Sequence, residues 1–410
     1  MFNQTALFGV ALGVEEPIYI EKIDFDKNLG ELHIHMNFRK GGKFACSECG
    51  KTDLPVHDTE DKVWRHLNFF QYKCYIHLRT PRTDCPKCGV RLFTPSWSRN
   101  GSGFTMLFEL LIMTLAKAMP VSEIANLTDE HDTRLWRIIR HYVGEAYEKK
   151  EMDKVHSVGV DETSVQKGHK YISVFADMEK REVLYCTKGK DASVISSFTE
   201  EIKKHNGNSE QIRDISMDMS PAFISGASEY LPNAEVTFDK FHIIKILNEA
   251  LDEVRRKEQK NNPLLIKTRF IWLKNPRKLT KAQQEKMVTL SKENLRTAKV
   301  YQMKLTFQDI YSNIEDAATA EAAIRKWISW AVRSRLEPIK KFARMLKSHI
   351  QGVLRYFTSR LTAGASEGIN SRIQQIKARA KGYRNTNNFI SMIYLEMAGL
   401  EIPNLLTHSK

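Results

Sequence analysis

The fold of this chain is decided by the stretch VGVDETS at residues 158–164. Its apolar residues lead directly into Asp161, and a carboxylate inside a core is costly unless it binds a metal or is fully hydrogen-bonded. The stretch ISMD at residues 215–218 repeats this pattern with Asp218, and a third acid, Glu367, opens a helical stretch. Two strand ends and one helix would then supply three carboxylates, a set of oxygen ligands that suits Mg²⁺ or Mn²⁺.

Outward from these acids, residues 155–239 have a mixed α/β pattern. Besides the two strands that lead into Asp161 and Asp218, we predict strands at 171–176, 183–187 and 235–239 and helices at 192–205 and 221–231. This order resembles that of an RNase H-like core, in which the first and fourth strands lie side by side. Such a core would bring the two aspartates together at one end of the sheet.

A large helical insertion is predicted between the last strand and Glu367, because residues 241–356 are highly charged and almost entirely helical in pattern. Its interior prolines, which mark breaks between helices, are Pro263, Pro276 and Pro338. In the helix that carries Glu367, the residues expected to face the core are Ile369, Ile373 and Ile376. The basic residues expected on its outer face, where they would bind DNA, are Arg372, Lys377, Arg379 and Lys381.

The positive charge of the chain is concentrated near its C-terminal end. The net charge is +14, and the segment from Arg325 to Arg384 contains 15 Lys or Arg against two acids. A solvated helical face would also carry such charge. Clustered cations nevertheless favour a polyanion, because they release counterions from double-stranded DNA.

Composition indicates a globular protein, with 42% hydrophobic and 10% aromatic residues. No apolar run approaches the roughly 18–20 residues of a membrane-spanning helix, and the amino terminus lacks a signal-peptide pattern. We therefore expect a cytoplasmic, nucleoid-associated protein without a membrane span.

Two Cys-x-x-Cys-Gly knuckles follow a predicted β-hairpin at residues 18–38. Each knuckle presents two thiolates from a tight turn, and the pair predicts a closed, structural Zn²⁺ site. The predicted zinc ligands are Cys46, Cys49, Cys85 and Cys88. Disulfides are an alternative that the expected cytoplasmic location disfavours. His57 or His66 could replace one thiolate, while Cys74 and Cys186 are expected to be core residues.

Three short helices are predicted next, at residues 105–118, 122–127 and 132–149, with Pro120 ending the first. Helices joined by such tight connections resemble a helix-turn-helix, although a plain helical linker would have a similar pattern. The predicted DNA-binding residues of the last helix recur at helical spacing and are Arg134, Arg137 and Arg140.

The whole chain resembles the ISL3 insertion-sequence family, a group of bacterial DDE transposases. The matching stretches are the two knuckles with WRHL at 64–67 and PR at 81–82 between them, VDET at 160–163, DMSPA at 218–222, DKFH at 239–242, EGIN at 367–370 and GYRN at 382–385. One departure is TAGA at residues 362–365, where the family is expected to have Thr-Asn-Ala. The missing Asn would position the helix or contact DNA.

The resemblance implies a catalytic triad of Asp161, Asp218 and Glu367, with Asp161 shared between two Mg²⁺ ions. His242 would orient the scissile phosphate or act as an acid near the leaving group, or it is simply a satisfied buried histidine. The expected domains are a zinc-binding region (1–100), a helix-turn-helix (101–152), the first part of the core (153–242), the insertion (243–355) and the C-terminal core helix (356–400).

Three functions are compatible with these features. The first is a transposase that binds terminal inverted repeats and cuts and joins DNA, with at least a homodimer in the DNA complex. The second is a zinc-dependent DNA-binding regulator with a decayed core, which the intact set of three acids disfavours. The third is an RNase H-like nuclease for RNA or junctions, which would not need two added DNA-reading modules.

Overall fold

A computed structural model of the chain describes residues 4–166, 170–359 and 363–403. The chain divides into two compact units, one that runs to Gly144 and includes residues from Glu401 onwards, and a second of Glu145–Leu400. The finer five-part division predicted from the sequence stays a prediction.

The first unit begins with a five-stranded sheet in the order β1-β2-β4-β3, with β5 paired to β4. After helix α1 (Gln4–Ala11), the strands are β1 (Ile18–Asp26), β2 (Glu31–Phe38), β3 (Val56–Phe69), β4 (Tyr72–Cys85) and β5 (Gly89–Leu92). Strands β1 and β2 are antiparallel, which confirms the predicted hairpin, whereas β2 and β4 are parallel. Alternate residues such as Leu32, Ile34 and Ile76 are fully buried on one face, as the two-residue period of a strand requires.

Three helices follow the sheet in the predicted positions: α2 (Met106–Ala116), α3 (Val121–Thr128) and α4 (Asp132–Glu148). The hydroxyl of Thr105 caps α2 by accepting a hydrogen bond from the Phe108 N–H. Helix α3 begins directly after Pro120. Its C-cap residue is Asp129, whose left-handed φ of 52° ends the helix. The apolar face of α4 is buried through Leu135 and Ile139.

The second unit contains a mixed sheet in the order β10-β9-β6-β7-β8. Its strands are β6 (Ser157–Gln166), β7 (Lys170–Asp177), β8 (Glu182–Lys188), β9 (Asp214–Met217) and β10 (Glu235–Phe238), with helices α5 (Ser193–Lys204) and α6 (Pro221–Tyr230) between them. Strands β6, β7 and β8 are antiparallel, whereas β9 is parallel to both β6 and β10. This is the predicted RNase H-like order, in which the first and fourth strands of the core are neighbours.

Helices make up most of the rest of the second unit, as predicted. They are α7 (Lys240–Gln259), α8 (Arg269–Leu273), α9 (Lys281–Ser291), α10 (Arg296–Asn313), α11 (Ala317–Val332), α12 (Glu337–Ser348), α13 (Ile350–Ser359), α14 (Ala363–Arg379) and α15 (Thr386–Met397). Pro263 and Pro276 each start a short 3₁₀ helix, and Pro338 lies in the first turn of α12. The prolines thus stand at helix starts, where their missing N–H costs nothing.

The helical insertion packs onto the edge of the sheet at Gly352 of α13. A Cβ atom at this position would lie 2.4 Å from the ring of Phe238 in β10, so only glycine permits the contact. The insertion has its own apolar interior, which includes Trp272, Phe307 and Phe342. The apolar core is continuous from the sheet into these helices.

Candidate functional site

The structure places Asp161 and Asp218 side by side at one end of the sheet. The parallel register pairs Gly159 of β6 with Ser216 of β9; Asp161 lies two residues further along β6, and Asp218 directly follows the last residue of β9. Both aspartates therefore lie just beyond the segment in which the two strands pair. Both residues are half-buried.

Hydrogen bonds fix the Asp161 carboxylate on both of its oxygens. Oδ1 accepts a hydrogen bond from the Glu162 N–H at 2.7 Å, and Oδ2 accepts one from the side-chain amide of Asn370 in α14. Burial raises the pKa of Asp161, although the nearby His242 and the Asn370 hydrogen bond oppose this rise. Burial disfavours the charged form of this carboxylate, and a divalent cation bound to it would instead favour the charged form.

The Asp218 carboxylate lies at the start of α6, where its Oδ1 accepts a hydrogen bond from the Ser220 N–H at 2.8 Å. A fourth acid, Glu162, lies close to it: burial first and then the Asp218 charge raise the pKa of Glu162. The sequence analysis did not single out Glu162, although it directly follows Asp161. Its half-buried carboxylate adds to the oxygen-rich character of this end of the sheet.

His242 and Asp239 belong to the same surroundings. The Asp239 N–H donates to the Met217 carbonyl at 2.9 Å, and its carboxylate caps α7 by accepting from the Phe241 N–H at 2.8 Å. The Nδ1 atom of His242 lies 3.6 Å from Oδ2 of Asp239. Asp239 raises the pKa of His242 against the effect of burial, and Asp161 and Asp218 add to the rise. Asp239 and the two aspartates thus act together to stabilise positive charge on His242.

Glu367 is exposed near the start of α14. Asn370, one helical turn further on, contacts Asp161, so Glu367 lies on the helix face that is turned toward this end of the sheet. Its carboxylate also acts on Lys240: burial lowers the pKa of Lys240, and Glu367 counteracts that effect. The departure from the family pattern at residues 362–365 lies outside the described part of the structure. Thr362 is not described, and neither are the side chains of residues 363–366.

The three acids surround one end of the sheet without closing around a common point. In the part of the chain that the structure describes, the four cysteines are the only group of three or more potential ligands close enough to share one ion. The donor set of Asp161, Asp218 and Glu367 nevertheless fits a hard divalent cation, because all its ligand atoms are carboxylate oxygens.

The four predicted zinc ligands form a compact group. The Sγ atoms of Cys46, Cys49, Cys85 and Cys88 lie within 4.8 Å of one another, and all four thiols are free. Backbone N–H groups of Cys88 and Lys87 lower the pKa of Cys85 to about 7, which favours the thiolate that zinc binds. This donor set fits Zn²⁺ in a closed, structural site.

Neither candidate histidine belongs to this cluster. His66 Nδ1 lies 2.9 Å from the Thr105 hydroxyl, and His57 Nδ1 lies 3.3 Å from a carboxylate oxygen of Asp58. The group of potential metal ligands therefore consists of four cysteines without a histidine. Cys74 and Cys186 are buried core residues, as predicted.

The predicted DNA-binding residues differ in their accessibility. On α4, Arg137 and Arg140 are exposed, whereas Arg134 is half-buried, pairs with Glu130 and lies 4.2 Å over the Phe104 ring. Two of the three arginines predicted to bind DNA are thus exposed, and their binding to DNA stays a prediction.

On α14 and the turn after it, Arg372 and Lys381 are exposed. The prediction that Lys377 and Arg379 also face outward is wrong, because both are half-buried and bound within the chain. Lys377 Nζ donates to the Ser164 carbonyl at 2.5 Å, and Arg379 pairs with the Glu396 carboxylate. Among the described residues, no helix is both long enough and apolar enough to cross a membrane.

Comparisons with known proteins match each region of the chain. Residues 158–393 match the DDE transposase family ISL3, residues 94–143 match the helix-turn-helix domain of transposase family ISL3, and residues 43–88 match the zinc finger of the transposases IS204, IS1001, IS1096 and IS1165. The last match supports Zn²⁺ at the four cysteines.

Two similar proteins extend over nearly the whole chain. The transposase for insertion sequence element IS1557 of Mycobacterium tuberculosis is 23% identical over 431 residues, which cover 96% of this chain and 95% of the relative. The transposase for insertion sequence element IS1001 of Bordetella parapertussis is 25% identical over 399 residues, which cover 95% and 97%.

A solved structure is also similar over part of the chain. A chain from the cryo-EM structure of a simian T-cell lymphotropic virus intasome in complex with PP2A regulatory subunit B56 gamma has 16% identity and a TM-score of 0.19 over 45% of this chain and 66% of that chain. A score this low carries no argument about the fold.

Proposed function

The chain belongs to the ISL3 family of transposases, and from that premise we propose that it binds the terminal inverted repeats of an insertion sequence and catalyses DNA cleavage and strand transfer. The single observation that supports this most is the β6–β9 register, since Asp161 lies on β6 and Asp218 directly follows the neighbouring β9. The side-chain amide of Asn370 joins the Glu367 helix to the same carboxylate.

In this proposal the residues that would hold two Mg²⁺ or Mn²⁺ ions are Asp161, Asp218 and Glu367, and Asp161 would be common to both ions. Such ions would supply the positive charge that makes a water or 3′-hydroxyl more nucleophilic and that offsets the charge on a leaving oxygen. The protein supplies orientation: the Glu162 N–H and Asn370 hold Asp161, and the Ser220 N–H holds Asp218. Phosphoryl transfer requires little beyond such positioning and charge stabilisation.

His242 binds a phosphate oxygen or donates a proton to the leaving oxygen. Asp239 raises its pKa, so the charged, proton-donating form is present at neutral pH to a greater extent than for a free histidine.

DNA recognition is assigned to the zinc-binding region and the helix-turn-helix, with the exposed Arg137 and Arg140 on phosphates. The exposed Arg372 and Lys381 add phosphate contacts near the candidate active site. We propose a homodimer in the DNA complex, because transposition brings together two transposon ends. Cytoplasmic location and nucleoid association stay predictions.

The proposal is tested by cleavage of DNA that carries the element's ends, in the presence of Mg²⁺, by the unaltered protein and by Glu367→Gln. We expect the unaltered protein to nick at the ends and Glu367→Gln to bind the ends without nicking. Glu285→Gln, which changes an exposed glutamate of α9, is the matched control and should nick normally. If neither the unaltered protein nor Glu367→Gln cuts while both bind the ends, the chain is the DNA-binding regulator with a decayed core.

A further inference from the structure

Helix α14 lies along strand β6 and is joined to it by a polar ladder, which we define as three side-chain hydrogen bonds. The Asn370 amide donates to Asp161 Oδ2, Gln374 Nε2 donates to the Thr163 hydroxyl at 2.9 Å, and Lys377 Nζ donates to the Ser164 carbonyl at 2.5 Å. The order of the partners is the same along both elements, so helix and strand run side by side in register.

The spacing of the polar ladder matches the two elements physically. Positions 370, 374 and 377 lie on one helix face, and seven helical residues advance about 10 Å. The three strand residues from Asp161 to Ser164 advance about the same distance. Past the end of the ladder, Gln166 Nε2 donates to the carbonyls of Tyr383 at 2.8 Å and Arg384 at 3.0 Å, which continues the same alignment.

The apolar contacts of α14 hold the helix against the core but do not by themselves fix its position along the strand. Ile369, Ile373 and Ile376 are buried, and such a stripe tolerates small displacements because apolar contacts are not directional. Hydrogen bonds need both a distance and an angle, so the polar ladder selects one alignment. A slip of one helical residue would shift Glu367 by about 1.5 Å and rotate it by about 100°.

Glu367 is exposed, three residues before Asn370 on the same face, so the placement of its carboxylate follows from the placement of the helix. Lys377 had been predicted to bind DNA, but its ammonium group is half-buried against the Ser164 carbonyl. Lys381, four residues further on, is exposed and remains available to phosphate. Lys377, in the last turn of α14, and Lys381, in the turn that follows it, therefore have different surroundings.

We propose that Gln374 and Lys377 are positioning residues, which set the location of the Glu367 carboxylate relative to Asp161, and that Lys377 acts in this way and not as a DNA contact. This inference rests on the proposed function of the three acids as metal ligands. Neither residue touches the acids directly; both act through the helix that carries Glu367 and Asn370.

The test uses Gln374→Leu and Lys377→Met in the full-length protein. Three quantities are measured: the Mg²⁺ concentration that gives half-maximal nicking, the affinity for end DNA, and oxidative cutting of the protein backbone near Asp161 and Asp218. For the last, Fe²⁺ replaces Mg²⁺, and added hydrogen peroxide and ascorbate generate hydroxyl radical at the bound iron. The last readout reports metal placement without requiring DNA cleavage. Gln375→Leu, the same change at an exposed neighbour outside the polar ladder, is the matched control.

We expect both ladder variants to raise the half-activating Mg²⁺ concentration about tenfold, as loss of groups that orient metal ligands does. Backbone cutting by Fe²⁺ should weaken, and DNA affinity should stay unchanged. Lys377→Arg keeps a donor and should recover most of the metal response. Lys381→Met should show the opposite result, with weaker DNA binding and an unchanged metal response.

Two results would overturn the inference. Weaker DNA binding by Lys377→Met at an unchanged metal response would make Lys377 a DNA contact, and unchanged values for both ladder variants would make the polar ladder irrelevant to the acids. If the unaltered protein never nicks, the proposed function fails, whereas the Fe²⁺ comparison still decides whether the ladder places the metal. Should Gln374→Leu fail to fold, Gln374→Asn, with a donor too short to reach Thr163, takes its place in the same measurements.

Discussion

At the scale of single residues, burial decides the protonation of several side chains in this molecule. It raises the pKa of Asp161, lowers that of Lys304 to about 8 and lowers that of His66 to about 4. The Lys304 ammonium group is compensated by the carbonyls of Trp272 at 3.0 Å and Leu273 at 2.8 Å, at the end of α8. Asp161 differs from these residues because a divalent cation, which the three acids would bind jointly, is expected to stabilise its buried negative charge.

His66 makes the stability of the first unit depend on pH. Because its pKa falls from 6.5 to about 4 in the folded state, the unfolded chain takes up a proton first as the pH is lowered. Stability is therefore lost between about pH 6.5 and 4, by on the order of 1 kcal/mol at pH 5.5 relative to pH 7.5. Guanidinium unfolding at these two pH values, with zinc in excess, measures the loss, and His66→Gln should abolish this part of it.

The exposed His131 provides the comparison for this experiment. His131→Gln should keep the pH dependence of the unaltered protein. An unchanged pH dependence in His66→Gln would contradict the assignment of the effect to His66.

At the scale of elements, a buried carboxylate joins the helices of the helix-turn-helix region. Glu109 of α2 is fully buried and accepts hydrogen bonds from Arg99 Nε at 2.9 Å, the Ser102 hydroxyl at 2.6 Å and the Tyr142 hydroxyl at 2.9 Å. Tyr142 lies on α4, so this one side chain connects α2 both to the preceding loop and to the helix that carries the exposed Arg137 and Arg140.

We expect Glu109→Gln to lower the free energy of unfolding by about 3 kcal/mol, because Arg99 would keep its charge without a carboxylate partner. Binding to end DNA should weaken as well, since α4 would lose its tie to α2. Guanidinium unfolding and DNA titration measure the two effects. Glu123→Gln changes an exposed glutamate of α3 and should leave both values unaltered; a loss of the same size in this variant would exclude a specific role for Glu109.

At the scale of the whole molecule, the extent of apolar burial differs between the second unit and the cysteine region of the first unit. The second unit has a continuous apolar core that extends from the sheet through the inserted helices. Around the cysteines of the first unit, the buried apolar cluster consists of only Cys46, Leu54 and Cys85, with Cys88 packed against it. Because so small a cluster buries little apolar surface, we expect bound zinc to supply most of the order of the two knuckles.

Removal of zinc by a chelator under reducing conditions should therefore loosen the knuckles and leave the second unit folded. Hydrogen exchange of the full-length chain is expected to accelerate at residues 43–54 and in β5, with β6 to β10 unchanged. Cys49→Ser should lose the bound zinc, whereas Cys74→Ala, at a buried cysteine outside the cluster, should retain it. Equal acceleration in both units, or full zinc content in Cys49→Ser, would contradict this division.

The sequence alone determined the elements and the residue types of both candidate sites. Short apolar runs predicted the strands that lead to Asp161 and Asp218, a 3.6-residue period predicted the helices, and the spacing of the four cysteines predicted their cluster. These signals are local, because a strand, a helix or a tight turn imposes its pattern on residues that are close in the chain.

Only the tertiary structure decided which side chains meet. Asn370 and Asp161 are 209 residues apart, and Lys377 and Ser164 are 213 residues apart, so no local pattern could show that an amide holds the first acid or that a lysine expected on DNA is bound inside the chain. The exclusion of His66 from the zinc cluster likewise depends on its contact with Thr105. Periodicity assigns a residue to one face of an element, but its partner is set by the packing of that face against another element.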